Sequence, residues 1–401
     1  MHNALKIGCL TQNPFDGVLL DLTPLETVSS VRGIGRYVRG LTSGLSQVLA
    51  DAPLLFEGVA ATPDLTELFL VDDPLSYCRR PVTVSRSRSP GRRRRLIQNQ
   101  MAALARARPG LLHLADPNGV PPANSVPFTL TSHDLIPLVL RELYLPPVPG
   151  WATAYTAIER SRYRRACRVL AVSHATKRDV CERLDIDSER VDVVWHGVEH
   201  EHFHPRAVPN ERKLLDPIVG GPGPYVLYLG GGDARKDLDT LVAAFAESNL
   251  RREARLVLAG AVGATRTRAL MGKIRKLRIE DAVHFSGYVP EQLVPALYRQ
   301  ATVHTFLSRY EGFGLPVIEA LACGVPTITN TGSSLDEVAG DGALIVACAD
   351  QEALAGALNL AFFDTGRRAE LRQRGLARAG TFTWRKCAEQ TIAFWQRANP
   401  N

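Results

Sequence analysis

Between Tyr225 and Val346 the chain repeats one pattern six times: a short, mostly apolar run, then a longer stretch with helical spacing. The runs lie at 225–229, 255–259, 283–285, 303–306, 326–329 and 343–346. Near-continuous apolar runs of this length are what strands buried on both faces look like, and such strands pair in parallel through crossover helices. The pattern therefore predicts a complete doubly wound α/β domain.

A looser version of the same pattern precedes it. Strands are expected at 6–10, 128–133, 168–173 and 191–196, with a helix over 175–184 capped by Ser173. Residues 205–224 hold five prolines and three glycines around a polar middle, which reads as a linker. Residues 384–398 are amphipathic. The expected organisation is an N-terminal Rossmann-like domain over 1–204, a linker over 205–224, a second such domain over 225–382, and a C-terminal helix over 383–401 that packs back on the first domain. Two sheets of this kind put their carboxyl ends on a shared cleft, where open α/β sheets bind ligands.

Composition narrows the setting. Charged residues make up 22% of the 401 and hydrophobic residues 45%, enough to bury two cores. No run approaches the roughly 18 apolar residues of a membrane-spanning helix. The apolar run at 6–10 is too short for a signal core and stops at Gln12-Asn13-Pro14. The seven cysteines stand singly without a CxxC pair, as reduced thiols do. A cytoplasmic placement is expected. The net charge of +7 is uneven, because Arg79 to Arg95 holds eight arginines and no acid. That run is a solvated basic loop, or else a contact for anionic membrane at the inner face or for a phosphate-bearing acceptor. No nucleic-acid-binding signature accompanies it, so nucleic acid is not an expected partner.

The most informative segment for chemistry is Glu311-Gly-Phe-Gly-Leu-Pro-Val-Ile-Glu319. Gly312 and Gly314 let backbone approach a ligand, and Pro316 suits a first helical turn. A helix N-terminus offers free N–H groups to a diphosphate or to sugar hydroxyls. Glu311 before the turn and Glu319 inside the helix can reach different parts of one extended ligand.

This segment resembles the Glu-x7-Glu signature of glycosyltransferase family 4, the retaining enzymes of GT-B fold, and the resemblance covers nearly the whole chain. Gly230 to Lys236 is similar to the loop that supplies Arg and Lys to the donor diphosphate, here Arg235 and Lys236. Phe285 to Val289 resembles the turn that contacts the nucleobase, which brings in Gly287, Tyr288 and Val289. Gly33-Ile-Gly35-Arg-Tyr37 is similar to the N-terminal loop facing the donor phosphates. His133 to Pro137 resembles the segment with the family's active-site histidine. Val172 to His174 and His196 to Val198 match its N-domain strand ends. The Gly33 and His133 segments look most like the mannosyltransferase-like members.

The resemblance implies that Glu319 binds the ribose and that Glu311 holds the transferred sugar. Gly312 and the amides of Phe313, Gly314 and Leu315 would stand beside it. Arg235 and Lys236 would neutralise the diphosphate, and His133 would contact the sugar near the reacting carbon. It implies same-face attack with retention, the leaving phosphate taking the acceptor's proton. Many members carry an arginine where this chain has Gly231 and Gly232, which leaves that charge to Arg235 and Lys236. Two carboxylates on one loop and helix are not a hydrolase pair flanking a scissile bond.

Weaker signals have plainer readings. Asp185-Ile-Asp187 and Asp237-Leu-Asp239 match a metal-binding Asp-x-Asp motif but sit where helix caps belong. His200, His202 and His204 alternate along an extended segment, as metal ligands or as ordinary polar residues. Gly230-Gly-Gly232 lacks the third glycine of a dinucleotide fingerprint. The expected function is transfer of a hexose, with mannose from GDP-mannose foremost, to a glycan or lipid-linked acceptor. No cofactor beyond the nucleotide-sugar donor and no metal are expected. The alternatives are a UDP- or dTDP-sugar donor in the same fold, a metal-dependent Asp-x-Asp transferase, a nicotinamide enzyme, a basic nucleic-acid-binding protein and an inactive scaffold.

Overall fold

The computed structural model describes residues 17–26, 33–49, 56–71, 79–82, 89–107, 110–121 and 126–398. The strand expected at 6–10 lies outside these residues, as do positions 83–88 of the arginine run.

Two sheets organise the molecule. The first contains β1 (Val18–Asp21), β2 (Phe56–Ala61), β3 (Leu68–Val71), β4 (Arg79–Val82), β5 (Leu111–Leu114), β6 (Phe128–Ser132), β7 (Arg168–Ala171) and β8 (Val191–Val193). Their order is β4-β3-β2-β1-β5-β6-β7-β8. All neighbours are parallel except β2 with β3 and β3 with β4. The second contains β9 (Tyr225–Leu229), β10 (Arg255–Ala259), β11 (Val283–Gly287), β12 (Val303–Phe306), β13 (Thr327–Asn330) and β14 (Leu344–Val346). Their order is β11-β10-β9-β12-β13-β14, parallel throughout. This is the two-domain, doubly wound arrangement expected.

Each sheet has a point where the chain reverses its direction of winding. In the second sheet β9 and β12 are neighbours, yet the chain leaves them toward opposite edges. A crevice opens outside the carboxyl ends of such a pair. The loop after β9 carries Arg235 and Lys236, and the loop after β12 carries Glu311.

Alternation along the strands sorts the cores. Leu20 of β1 joins an apolar cluster that continues through Tyr37 and Trp384 into the second sheet. Leu19, one residue away, faces the other side with Ile97, Met101 and Tyr163. The helix Trp384–Ala398 lies across the helix Gly33–Leu49 and buries Trp384, Phe394 and Trp395. The approach is close enough to require glycine: a Cβ at Gly40 would sit 2.0 Å from Trp384 Cε2. The helix His174–Leu184 starts as expected, with the Ser173 hydroxyl accepting from Thr176 N.

Residues 205–224 differ from a plain linker, because they contain the helix Glu211–Val219 with Pro217 inside it. Leu215 and Val219 are fully buried. Arg299 Nε donates to Glu211 Oε1 at 3.2 Å. Burial and this ion pair outweigh the helix-breaking tendency of proline. No helix among the described residues is long and apolar enough to cross a membrane.

Candidate functional site

The loop after β12 is held from both halves of the molecule. Ser173 Oγ of the first half donates to Gly312 O at 2.7 Å. Ser334 Oγ of the second lies 2.9 Å from Glu311 O and 2.8 Å from Phe313 O. A Cβ at Gly312 would meet His133 O at 1.7 Å, so only glycine fits beneath the His133 backbone. Gly314 has φ +108° and caps the helix Leu315–Ala322, with Pro316 in its first turn. Sequence chemistry thus fixes where Glu311 and Glu319 point.

Glu311 sits among cations from its own half. Lys236 Nζ donates to Glu311 Oε1 at 2.6 Å, and Arg235 Nε lies 3.3 Å from the same oxygen. The Arg235 contact is an ion pair without hydrogen-bond alignment, since that Nε has no hydrogen-bond partner. Arg235 Nη1 also lies 3.2 Å from Asp233 Oδ2, whose carboxylate accepts from Tyr144 of the first half. Lys236 Nζ stands 4.1 Å above the Phe306 ring. Burial works to raise the Glu311 pKa, but the Lys236 and Arg235 charges outweigh it and hold the carboxyl below its ordinary value. Burial lowers the Lys236 pKa against the pull of Glu311. Two cations, Arg235 and Lys236, thus stand together at the crevice, paired with the carboxylates of Glu311 and Asp233.

Glu319 is served from the opposite half. Arg36 Nη1 donates to Glu319 Oε1, and Arg36 Nη2 lies 3.8 Å from Glu291 Oε1. Tyr298 OH donates to Glu319 Oε2 at 3.4 Å. Burial raises the Glu319 pKa from its ordinary value, and the Arg36 charge offsets part of that. Glu311 lines a cavity of ≈ 410 Å³ with Lys236 and His133, and Glu319 lines one of ≈ 460 Å³ with Arg36. Leu315 borders both.

His133 follows β6 and donates through Nε2 to Ala115 O, 2.8 Å away. A carbonyl only accepts, so the proton lies on Nε2 and Nδ1 keeps its lone pair. Burial lowers the His133 pKa, which holds the ring neutral. His196 lines the same cavity, stacked on Tyr37 and against Phe313 at ring distances of 4.8 and 4.5 Å. Neither of its ring nitrogens has a hydrogen-bond partner.

The structure therefore gathers His133, Arg235, Lys236, Glu311, Gly312, Phe313, Gly314, Leu315 and Gly33 around one cavity, with Glu319 in the next. Gly35 is buried in the helix Gly33–Leu49. Gly287, Tyr288 and Val289 line neither cavity, and Tyr288 is 78% exposed; Glu291 and Gln292, just beyond, line the larger one. Gly33 to Tyr37, expected as a loop, opens the helix Gly33–Leu49, and Arg36 within it carried no expected role. Its only signal was a cation at the cleft-facing start of a helix. The Asp-x-Asp acids sit in local structure. Asp187 accepts from Glu189 N at 3.0 Å and Asp237 from Thr240 N at 3.4 Å. Asp185 and Asp239 pair with Arg164 and Arg266. His200 Nε2 bonds to Phe382 O at 3.1 Å. Among the described residues no three His, Cys, Asp or Glu side chains group as metal ligands.

Comparison with known proteins agrees with this layout. Residues 31–202 match the family model described as Glycosyltransferase Family 4, and residues 219–378 match Glycosyl transferases group 1. The chain is 35% identical to O-antigen chain mannosyltransferase B of Escherichia coli over 226 residues, 56% of this chain and 59% of that one. It is 24% identical to the serotype-specific mannosyltransferase WbdA of Escherichia coli over 95% of this chain and 48% of the relative. The chain thus spans about half the length of these curated relatives. The sucrose-phosphate synthase of Thermosynechococcus elongatus superposes with TM-score 0.73 at 22% identity, over 95% of this chain and 98% of its own. WaaG, a glycosyltransferase involved in lipopolysaccharide biosynthesis, gives 0.69 at 18% identity, over 93% and 98%. Motifs, two facing doubly wound sheets and both family matches converge: this chain belongs to glycosyltransferase family 4 and has the GT-B fold.

Proposed function

We propose that the chain transfers a hexose, mannose from GDP-mannose foremost, to a hydroxyl of a glycan acceptor, with retention and without a divalent metal. The observation that carries this reading is the Arg235–Lys236–Glu311 cluster at the switch point of the second sheet. A nucleoside diphosphate leaving group gains negative charge as the anomeric bond breaks. Two fixed cations beside the N-terminus of the helix Leu315–Ala322 stabilise that charge most in the transition state. They can supply what a metal would otherwise provide. Glu311, hydrogen-bonded to Lys236, is placed to exchange that partner for sugar hydroxyls. Glu319, one helical face away, is placed for the ribose. His133, with Nδ1 open, can accept from a sugar hydroxyl near the reacting carbon. The leaving phosphate takes the acceptor's proton on the same face, so no enzymic nucleophile is required. The mannosyltransferase relatives support mannose as the sugar and a saccharide as the acceptor.

The test is a thermal-shift panel of GDP, UDP, dTDP and ADP on the full chain, followed by GDP-mannose turnover with and without chelator. A nucleotide at 100 times its dissociation constant should add about 2.7 kcal/mol of stability. GDP is expected to shift the midpoint most, and turnover is expected to survive chelation. A larger UDP or dTDP shift would move the donor to that base. Turnover abolished by chelator and restored by magnesium or manganese would favour the metal-dependent alternative.

A further inference from the structure

The first sheet has a switch point of its own. β1 and β5 are parallel neighbours, and the chain leaves β1 toward β2 and β5 toward β6, at opposite edges. The crevice outside their carboxyl ends is therefore a ligand position by the same topological rule that places Lys236 and Glu311. Asp21 ends β1, and Asp116 follows β5 by two residues. Both line a cavity of ≈ 270 Å³ with an apolar floor that includes Ile97 and Met101.

The polar groups of this cavity are poorly used by the fold. Asp21 is only 2% exposed, and its hydrogen bonds come from one residue, Thr23, through the backbone N at 2.9 Å and the side chain. Arg94 lines the cavity as well, yet burial, with Asp116 adding to it, outweighs the Thr23 hydrogen bonds and pushes the Asp21 carboxyl up to about 6. Gln98, also buried, spends its amide nitrogen on Asn118 O at 2.8 Å, which leaves the amide oxygen as a further acceptor. Two carboxylates and the Gln98 amide line the cavity with one cation, Arg94, over an apolar floor. A pyranose is complementary, offering vicinal O–H donors and an apolar C–H face. A phosphate would meet two carboxylates of its own sign against the single cation Arg94.

The cavity is also connected to the transfer site. A second cavity, of ≈ 180 Å³, shares Asp116 and Asn118 with it. That one in turn shares Ile34, His133 and Asp134 with the cavity holding Glu311. The three form one trough from Glu311 to Asp21. We propose that the Asp21–Asp116 cavity is a saccharide subsite, holding a neutral hexose unit of the acceptor glycan set back from the unit whose hydroxyl receives the transferred sugar. The proposal rests on the glycosyl-transfer reading above. It adds that the enzyme recognises an oligosaccharide, not a single sugar.

Calorimetric titration of the full chain with α-mannotriose and with methyl α-mannoside tests it, with no donor present. The trisaccharide should bind and the monosaccharide should bind at least about tenfold more weakly. Asp21→Asn and Asn118→Trp should each weaken the trisaccharide by about tenfold or more, the scale of a hydrogen bond to a charged group. Asn118 has an exposed side chain at the junction of the two outer cavities, so the tryptophan blocks the trough without entering the core. Unchanged trisaccharide affinity in both variants, or no trisaccharide binding by the wild-type chain, overturns the subsite. Trisaccharide binding lost in both variants, with no GDP-mannose turnover by the wild-type chain, keeps the subsite and sinks the donor reading instead.

Discussion

The two switch points have the same backbone architecture and different side-chain chemistry. At β9/β12 the loops bring two cations against Glu311 and Asp233; at β1/β5 they bring two carboxylates, joined over an apolar floor by Gln98 and Arg94 of the helix Pro90–Arg106. Two adjacent cations suit a diphosphate, and two carboxylates over an apolar floor suit hydroxyl groups. Parallel sheets supply the position in both cases, and loop residues supply the chemistry. The comparison also separates Glu311 from Glu319. Glu311 takes its cations from its own half, whereas Glu319 takes Arg36 from the other half, so its environment depends on how the halves meet.

The contrast breaks most easily at its cationic end. Lys236→Ala should lower kcat by about 10²–10³, the usual effect of removing one fixed donor from a developing anion. The variant should also leave Glu311 buried with Arg235 alone. Single-turnover measurement with saturating donor checks this, and a loss below tenfold would mean that Lys236 is not what stabilises the leaving group.

The acidic end predicts a stability effect of opposite sign. Asp21 has a folded pKa of about 6, above its ordinary 3.8. A carboxyl with a raised folded pKa favours the fold only where it stays protonated. The penalty is absent below about pH 4, grows through the interval up to pH 6, and is complete above it. Asp21→Asn should therefore stabilise the chain at pH 8 by up to about 3 kcal/mol, with the gain shrinking toward pH 4. Thermal midpoints of both proteins across pH 4–8 check this. A stabilised variant that loses the trisaccharide marks Asp21 as kept for binding; a destabilised one marks it as structural.

Smaller effects sharpen the division between the two glutamates. Glu319→Ala should weaken both GDP-mannose and free GDP, each by about 1.5–3 kcal/mol. Glu311→Ala should depress turnover and leave GDP affinity nearly intact. Arg36→Ala should disturb GDP less than Glu319→Ala does. Equal loss of GDP affinity in the two glutamate variants would end the division of labour. A larger loss from Arg36→Ala would make the guanidinium, not the carboxylate, the nucleotide anchor.

The second half of the fold was legible because β9 and β10 are largely apolar runs and β12 and β13 are short runs rich in β-branched residues, all buried on both faces and separated by regular helical stretches. In the first half β1, β3 and β5 are runs of four residues. Leu68–Val71 ends against two acids and Phe56–Ala61 contains Gly58, so periodicity alone did not separate them from loops. The helix Glu211–Val219 was hidden by Pro217, because the ion pair from Arg299 and the burial of Leu215 are not local properties. Glu311, Lys236 and His133 were readable from motifs. Asp21 and Asp116 were not, because their meaning lies in β1 and β5 being neighbours, which only the assembled sheet reveals.

The smallest expected effect concerns the rim of the acidic crevice. Arg92 to Arg95 open the helix Pro90–Arg106; Arg92, Arg94 and Arg95 are exposed, and Arg93 donates to Asp64 O at 2.8 Å. Four cations in a first helical turn repel one another and oppose the helix dipole, an arrangement an anion would relieve. Arg94 also lines the Asp21 cavity, so an anionic surface engaged by this helix would lie beside the outer end of the trough. Each arginine near anionic lipid should contribute about 1 kcal/mol, falling off within a Debye length. Arg94→Ser should therefore weaken binding to phosphatidylserine-containing vesicles about fivefold at low salt, with attachment lost as salt rises. Val148 and Trp151, exposed on the same half, offer an apolar alternative. Release by Trp151→Ser at every salt concentration, with Arg94→Ser inert, would assign the surface to them. A wild-type chain that ignores such vesicles at low salt would leave the arginines as a solvated helix start, and the two crevices as the whole of the binding chemistry.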